Sequence, residues 1–288
     1  MQKFSFHTHT LGFDGKNTEE EMLSQAVSLG WEKIGFSNHF IVHHNIENAP
    51  MYQYAKKGGY NSIYSSSFDE AIAKFEEHYK KIDELRETSS IKILKGMEVD
   101  YFSDDKWYEG FIKAINHLKP DYLIGSAHFI EQDGILYNSH DVKNAPLLEQ
   151  KKLLHRYWQN ERATASSGLF NILAHLDLMK KVGLGQENEW LEDEAKTISV
   201  IKKSGAIVEL NTSFYKKGNE PYPSKRIIDM LAKEHVPVII SDDAHHISQL
   251  GNYFSDAEEL ISSHRLKKAL SNERQNNIFM LSNSNDIR

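Results

Sequence analysis

The chain has 288 residues, 40% of them hydrophobic, which is enough for one large α/β domain or two smaller ones. Its 34 basic residues against 41 acidic ones give a net charge of -7, which argues against a general binder of nucleic acid or other polyanions. Cysteine is absent, which excludes disulfides, thiolate ligands and a cysteine nucleophile, and leaves only nitrogen and oxygen to hold any metal.

Along its length the sequence alternates short apolar runs with longer amphipathic stretches, the pattern of βα units. The opening segment MQKFSFHTHTLGFDG turns polar too soon for a secretory leader, and no later apolar run is long enough to span a bilayer. A cytoplasmic location is therefore expected. Within this segment KFSF reads as a strand that ends in His7 and His9. Alternate residues of an extended strand point the same way, so both imidazoles can aim at one point, an arrangement that suits a metal ion. Asp14, beside Gly15, is either a turn residue or a side chain that reaches back toward those histidines. A helix follows over TEEEMLSQAVSLG, opened by a capping box of Thr18 and Glu21 and closed by Gly30.

EKIGFS is the next strand and runs into Asn38 and His39. Residues 41–67, rich in Tyr, Gly, Ser and Asn, are the least regular stretch, and their tyrosines favour a partly packed cover over the active face. The helical pattern SFDEAIAKFEEHYKKIDELRE then leads to the strand IKILKGMEV, which carries Glu98 near its end. DYLIGSA runs into His128, FNILA into His175, AIVELNTS into Lys216 and Lys217, and PVIIS into Asp242, Asp243, Ala244 and His245. Seven strands with intervening helices predict a barrel related to the eight-stranded (β/α) fold, with an open doubly wound sheet as the alternative. No repeat or linker divides the chain, so one domain over residues 1–288 is expected. In a parallel barrel the carboxyl ends of the strands share one face, so these metal-capable side chains converge there. His43, His44, His78, His155, His235 and His264 fall on loops or helices away from the strand ends, where solvated or packing roles are expected.

The ordered set HTHT with FDG, SNH, GMEVD, SAH, GLFNILAHLDLMKK, ELNTS and DAH resembles the PHP family, named for polymerase and histidinol phosphatase domains. GLFNILAHLDLMKK, IVELNTS and PYPS further resemble its histidinol-phosphate phosphatase branch, and the resemblance spans residues 4–251. It implies a distorted (β/α)7 TIM-like barrel with a metal site at the carboxyl ends of the strands. It also implies two or three divalent ions, zinc, manganese or iron. His7, His9, Glu98 and Asp243 would surround one, Glu98 would bridge to a second held by His128 and His175, and Asp14, His39 and His245 would hold a third. Two positions depart from the family pattern. Asp242 stands where a small hydroxylated residue is usual, and Phe214, Tyr215, Lys216 and Lys217 follow ELNTS where an arginine is frequent.

Such a cluster suits phosphate-ester hydrolysis. Divalent ions neutralise phosphate oxygens, acidify a bound water and stabilise the departing alkoxide, so attack by metal-bound hydroxide is expected. Asp243, His245 and Glu98 are the expected catalytic residues, with Asp242 and Asp243 among the donors of the leaving-group proton. Lys216, Arg156 and Asp242 are the expected substrate contacts, ahead of Arg162, Lys217 and Arg226. The implied substrate is a small phosphate monoester, L-histidinol phosphate first. A PHP phosphoesterase acting on nucleotides, sugar phosphates or nucleic-acid ends is the alternative. An amidohydrolase-type metal hydrolase would be expected to have lysine at position 98, and a noncatalytic metal-binding domain would not need the whole ligand set.

Overall fold

The computed structural model describes residues 1–59 and 61–269. The expected domain span of 1–288 also takes in Tyr60 and residues 270–288, which lie outside the described residues. The strands are β1 (Phe4–Ser5), β2 (Lys33–Phe36), β3 (His39–Val42), β4 (Tyr64–Ser65), β5 (Lys92–Asp100), β6 (Tyr122–Ser126), β7 (Phe129–Gln132), β8 (Ile135–Asn138), β9 (Ile172–Leu173), β10 (Ile207–Asn211), β11 (Pro237–Ser241) and β12 (Lys267–Lys268). The main sheet runs β1-β2-β5-β6-β9-β10-β11-β12, with β3 continuing the second position along β5, and its pairings are parallel. Beyond β1, Thr8 bridges in parallel to Ala244, and His9 N–H donates to Ala244 O at 2.9 Å, so the first and seventh positions meet. The seven strands read from the apolar runs are thus all present and curl into a barrel. The short β12 joins β11 at its starting end.

Alternation along the strands makes two apolar layers. Leu94, Tyr122, Ile124, Ile172, Ala174, Ile207 and Ile239 fill the barrel interior together with Phe4 and Phe6. Their neighbours Ile93, Met97, Leu123, Leu173, Val208, Val238 and Ile240 belong to the larger core that packs against the helices. The inward position of Gly96 is taken by the Tyr122 ring, which a Cβ there would meet at 2.2 Å. Helix α1 (Glu19–Ser28) has the expected capping box, with Glu21 N–H on Thr18 Oγ1 at 3.3 Å and Thr18 N–H on Glu21 Oε2 at 3.0 Å. Gly30 follows it in the left-handed region at φ 67°.

Residues 41–59 and 61–67 are more regular than the composition of this stretch suggests. They take in the end of β3, helix α2 (Pro50–Gly58) and β4, with β4 pairing in parallel on β3. Pro50 opens the helix at its first turn and Gly59, at φ 78°, closes it, the usual placement of those two residues. A second addition is the antiparallel hairpin β7–β8, turned by Asp133 and Gly134, both at positive φ. An Asp-Gly pair between two short apolar runs is the sequence signature of such a turn.

Candidate metal centre

The nine metal-capable side chains named from the sequence stand together at the carboxyl ends of the strands. The first strand delivers two of them through a break in its alternation. Phe4 and Phe6 pack into the interior, the backbone bends at Phe6, and pairing resumes at Thr8. An unbroken period of two would turn Thr8 inward; the bend hands the interior to His7 and His9 instead. Both are fully buried, and Thr8 Oγ–H is tied to Gly35 O at 2.8 Å.

Glu98 lies at the middle of the cluster. Its Oε2 is 3.2 Å from His7 Nε2, 3.6 Å from His9 Nε2 and 2.9 Å from His39 Nδ1, while its Oε1 is 3.0 Å from His175 Nε2 and 3.4 Å from His128 Nε2. Asp243 Oδ1 stands 3.2 Å from His9 Nε2 and 3.5 Å from His7 Nε2. Asp14, which does reach back, places its carboxylate 3.4 Å from His9 Nδ1, 3.1 Å from His39 Nε2 and 3.0 Å from His245 Nε2. Three groups have ligand atoms within 4.8 Å of one another: His7, His9 and Asp243; His39, Glu98 and His128; and His9, Asp14, His39 and His245. His9 and His39 each belong to two groups, so the division of ligands is less clean than the resemblance implied.

Whether these residues suit a divalent ion is decided by their unmet valences. His7 Nε2, both ring nitrogens of His9, His39 Nδ1, Asp14 Oδ1 and Glu98 Oε2 are buried without a hydrogen-bond partner. Buried polar atoms are nearly always satisfied, and here six orphans face one another from nitrogen and oxygen donors only. The donor set fits borderline divalent transition ions. Burial alone would push the carboxyls of Glu98 and Asp243 up, but the surrounding histidines hold both well below the usual carboxylate range. The cluster therefore presents anionic oxygens.

Two further carboxylates set the histidines and were missed in the sequence. Glu209 Oε1 lies 2.6 Å from His7 Nδ1, and its other oxygen accepts from His175 N–H at 3.2 Å and Asn211 Nδ2–H at 2.9 Å. Asp100 Oδ2 lies 2.8 Å from His128 Nδ1. In each pair the proton on Nδ1 leaves the Nε2 lone pair facing the cluster. The available signals were a glutamate inside the apolar run IVELN and an aspartate two residues beyond Glu98, hence on the same face of its strand.

The cleft above the cluster has a volume of about 550 Å³. Lys216 lines it, as do Lys217 and the unanticipated Lys181. Two expected substrate contacts are corrected. Asp242 points away from the cleft, accepting from Ser5 Oγ–H and Gly251 N–H at 2.7 Å each, because it alternates with the inward-facing Ser241 and Asp243. Arg156 lies on the exposed face of helix α3 (Leu147–Ser166), where it donates to Gln159 Oε1 at 3.2 Å. Arg162 is bound by Asp193 at 3.0 Å and Arg226 by Glu194, so neither reaches the cleft. The excluded His78 is buried as a brace, 2.7 Å from Glu19 Oε1 and 3.1 Å from Asn38 Nδ2.

The PHP domain matches residues 5–213, nearly three quarters of the chain. The chain belongs to the PHP domain family. Within that family it is 24% identical to a Deinococcus radiodurans protein named probable histidinol-phosphatase, over 87% of this chain and 89% of the relative. It is likewise 24% identical to the histidinol-phosphatase of Saccharomyces cerevisiae, over 89% of this chain and 87% of the relative. The histidinol phosphate phosphatase of Lactococcus lactis, solved with zinc, L-histidinol and phosphate, shares the fold at a TM-score of 0.66 and 16% identity, over 93% of this chain and 95% of that one. Among the described residues no helix is long and apolar enough to cross a membrane.

Proposed function

We propose that this PHP-family chain is a metal-dependent phosphatase that hydrolyses L-histidinol phosphate to L-histidinol and phosphate, a step of histidine biosynthesis. The observation that carries the metal dependence is the set of six orphaned buried donor atoms converging from separate strand ends. Family membership and the enzyme names of the curated relatives support the phosphatase activity, and those names also support the substrate.

His7, His9, Glu98, Asp243, His128 and His175 would hold two ions, and Asp14, His39 and His245 would complete a third site. Bound divalent ions would neutralise the phosphate oxygens and supply the acidity that activates water. The chain's own part is to place and hold charge. Glu209 and Asp100 fix the ring orientation of His7 and His128. Lys181, Lys216 and Lys217 give one side of the cleft a positive potential for the incoming phosphate. Lysine acts there as a point charge and makes no bidentate fork, so phosphate orientation falls mainly to the cluster.

The leaving alkoxide needs a proton. Asp242 is outside the cleft, and Asp243 is held ionised by His7, His9 and His245. His245 opens on the cleft, with its Nε2 3.0 Å from Asp14 Oδ2. On that position we assign the proton to His245 when its Nε2 does not serve as a metal ligand.

The test is catalytic efficiency toward L-histidinol phosphate, glycerol phosphate and a nucleoside monophosphate at one defined metal loading. Histidinol phosphate should lead by at least about 10-fold, the scale of one or two well-made side-chain contacts. Equal efficiencies would remove the substrate assignment and leave the phosphatase.

A further inference from the structure

The cleft has two chemically different sides, and the strand order separates them. Counting round the barrel from β1, Ile41, Met51, Ile63 and Tyr64 follow the second position and Phe129 the fourth, whereas Lys181 follows the fifth and Lys216 and Lys217 follow the sixth. The lysines thus cluster on one side. The other is a wall of Ile41, Met51, Ile63, Tyr64 and Phe129, half-buried or buried and without a formal charge. Tyr64 is fixed in this wall by ring contacts to Phe129 at 5.8 Å and 80° and to the buried Tyr52 at 6.0 Å and 60°.

Among the described residues the carboxylates that line the cleft are Asp14, Glu98 and Asp243, all within the ligand cluster. A positively charged substrate therefore finds no acidic partner outside the ligand cluster, and beside the neutral polar groups of Asn138, Ser139, Ser213 and Gln249 the cleft offers it aromatic faces. Two of these are already occupied: Lys180 Nζ lies 4.6 Å from the ring centre of Phe214 and 4.9 Å from that of Tyr222. Among the described residues no lysine or arginine lies over Tyr64.

We propose, resting on the phosphatase reading above, that the alcohol half of the substrate lies on this wall and that Tyr64 is a specificity-determining residue. It selects a short alcohol that carries a flat aromatic group and a positive charge. With phosphate drawn to the lysine side and the alcohol to the Tyr64 side, the scissile bond is laid across the cluster.

The experiment compares the metal-loaded wild type with Tyr64→Leu and Tyr64→Phe on L-histidinol phosphate and glycerol phosphate. It also measures calorimetric binding of L-histidinol and L-leucinol to the wild type. Tyr64→Leu should lower kcat/KM for histidinol phosphate about 10-fold and leave glycerol phosphate within about twofold, whereas Tyr64→Phe, which keeps the ring face, should stay near wild type on both. The wild type should bind L-histidinol several-fold more tightly than L-leucinol, which keeps the amine and loses the aromatic ring; this arm stands even if Tyr64→Leu does not fold. Equal losses on both esters, or no preference between the two amino alcohols, would overturn the role of Tyr64 and leave the phosphatase standing. Absence of turnover of either ester by wild type with measured bound metal would overturn the phosphatase reading and this inference together.

Discussion

Along β5 the inward positions run Leu94, Gly96, Glu98 and Asp100, and along β10 they run Ile207, Glu209 and Asn211. In both strands an apolar start gives way to carboxylate and amide within a few residues. The starting end of the barrel is filled by Leu94, Ile124, Ile172 and Ile207 with the Tyr122 ring over Gly96, between strands paired in parallel ladders. The carboxyl end buries six orphaned donor atoms and a knot of histidines and carboxylates. Packing of the first kind stabilises a fold; a buried charge cluster costs free energy until a cation joins it. The same alternation that builds a rigid lower half thus lifts an unsatisfied set of ligands on top of it. The two ends should respond in opposite ways to substitution.

Ile124→Ala, in the fully buried lower layer, should lose about 2–5 kcal/mol of stability through lost burial and the cavity left behind. Its turnover at low temperature should stay close to wild type, which denaturant unfolding and steady-state assays can check side by side. Glu98→Gln should do the reverse. Its carboxylate faces five histidines, so the amide should reduce turnover by roughly 100-fold or more, with metal affinity falling in parallel and the unfolding midpoint of the metal-free protein changing little. If Glu98→Gln with full metal occupancy turns over like the parent, the central position of Glu98 has no catalytic consequence. Lys216→Ala should give the smallest effect. A single partly exposed charge on the cleft wall should raise KM by a factor of about 3–10 and leave kcat near wild type, because lysine contributes to capture more than to the transition state.

The comparison also explains how much the sequence disclosed. The lower half was legible because its strands are apolar runs, and the upper half because each run ends in a histidine or an acid. The missed features depend on direction more than on residue type. The bend at Phe6 that turns His7 and His9 inward leaves no mark in composition. The roles of Asp242 and Asp243 are decided by alternation from Ser241, which was available, together with a positive φ of 49° at Asp243, which was not. Glu209 and Asp100 are recognisable only once the strands are wound into a barrel and their neighbours across it are known. Residues 41–67 seemed irregular because their order comes from pairing β4 on β3 and from packing Tyr52 and Ala55 of α2, both long-range effects. Their tyrosines did signal packing near the active face, and Tyr64 is part of the cleft wall.

The most direct test of the account is the metal content of the chain purified without chelator and reconstituted with zinc or manganese, with each ion located by anomalous diffraction. Two or three divalent ions per chain are predicted, among His7, His9, Asp14, His39, Glu98, His128, His175, Asp243 and His245. Folded protein that binds fewer than two ions there after reconstitution, yet hydrolyses phosphate esters undiminished in chelator, would contradict it.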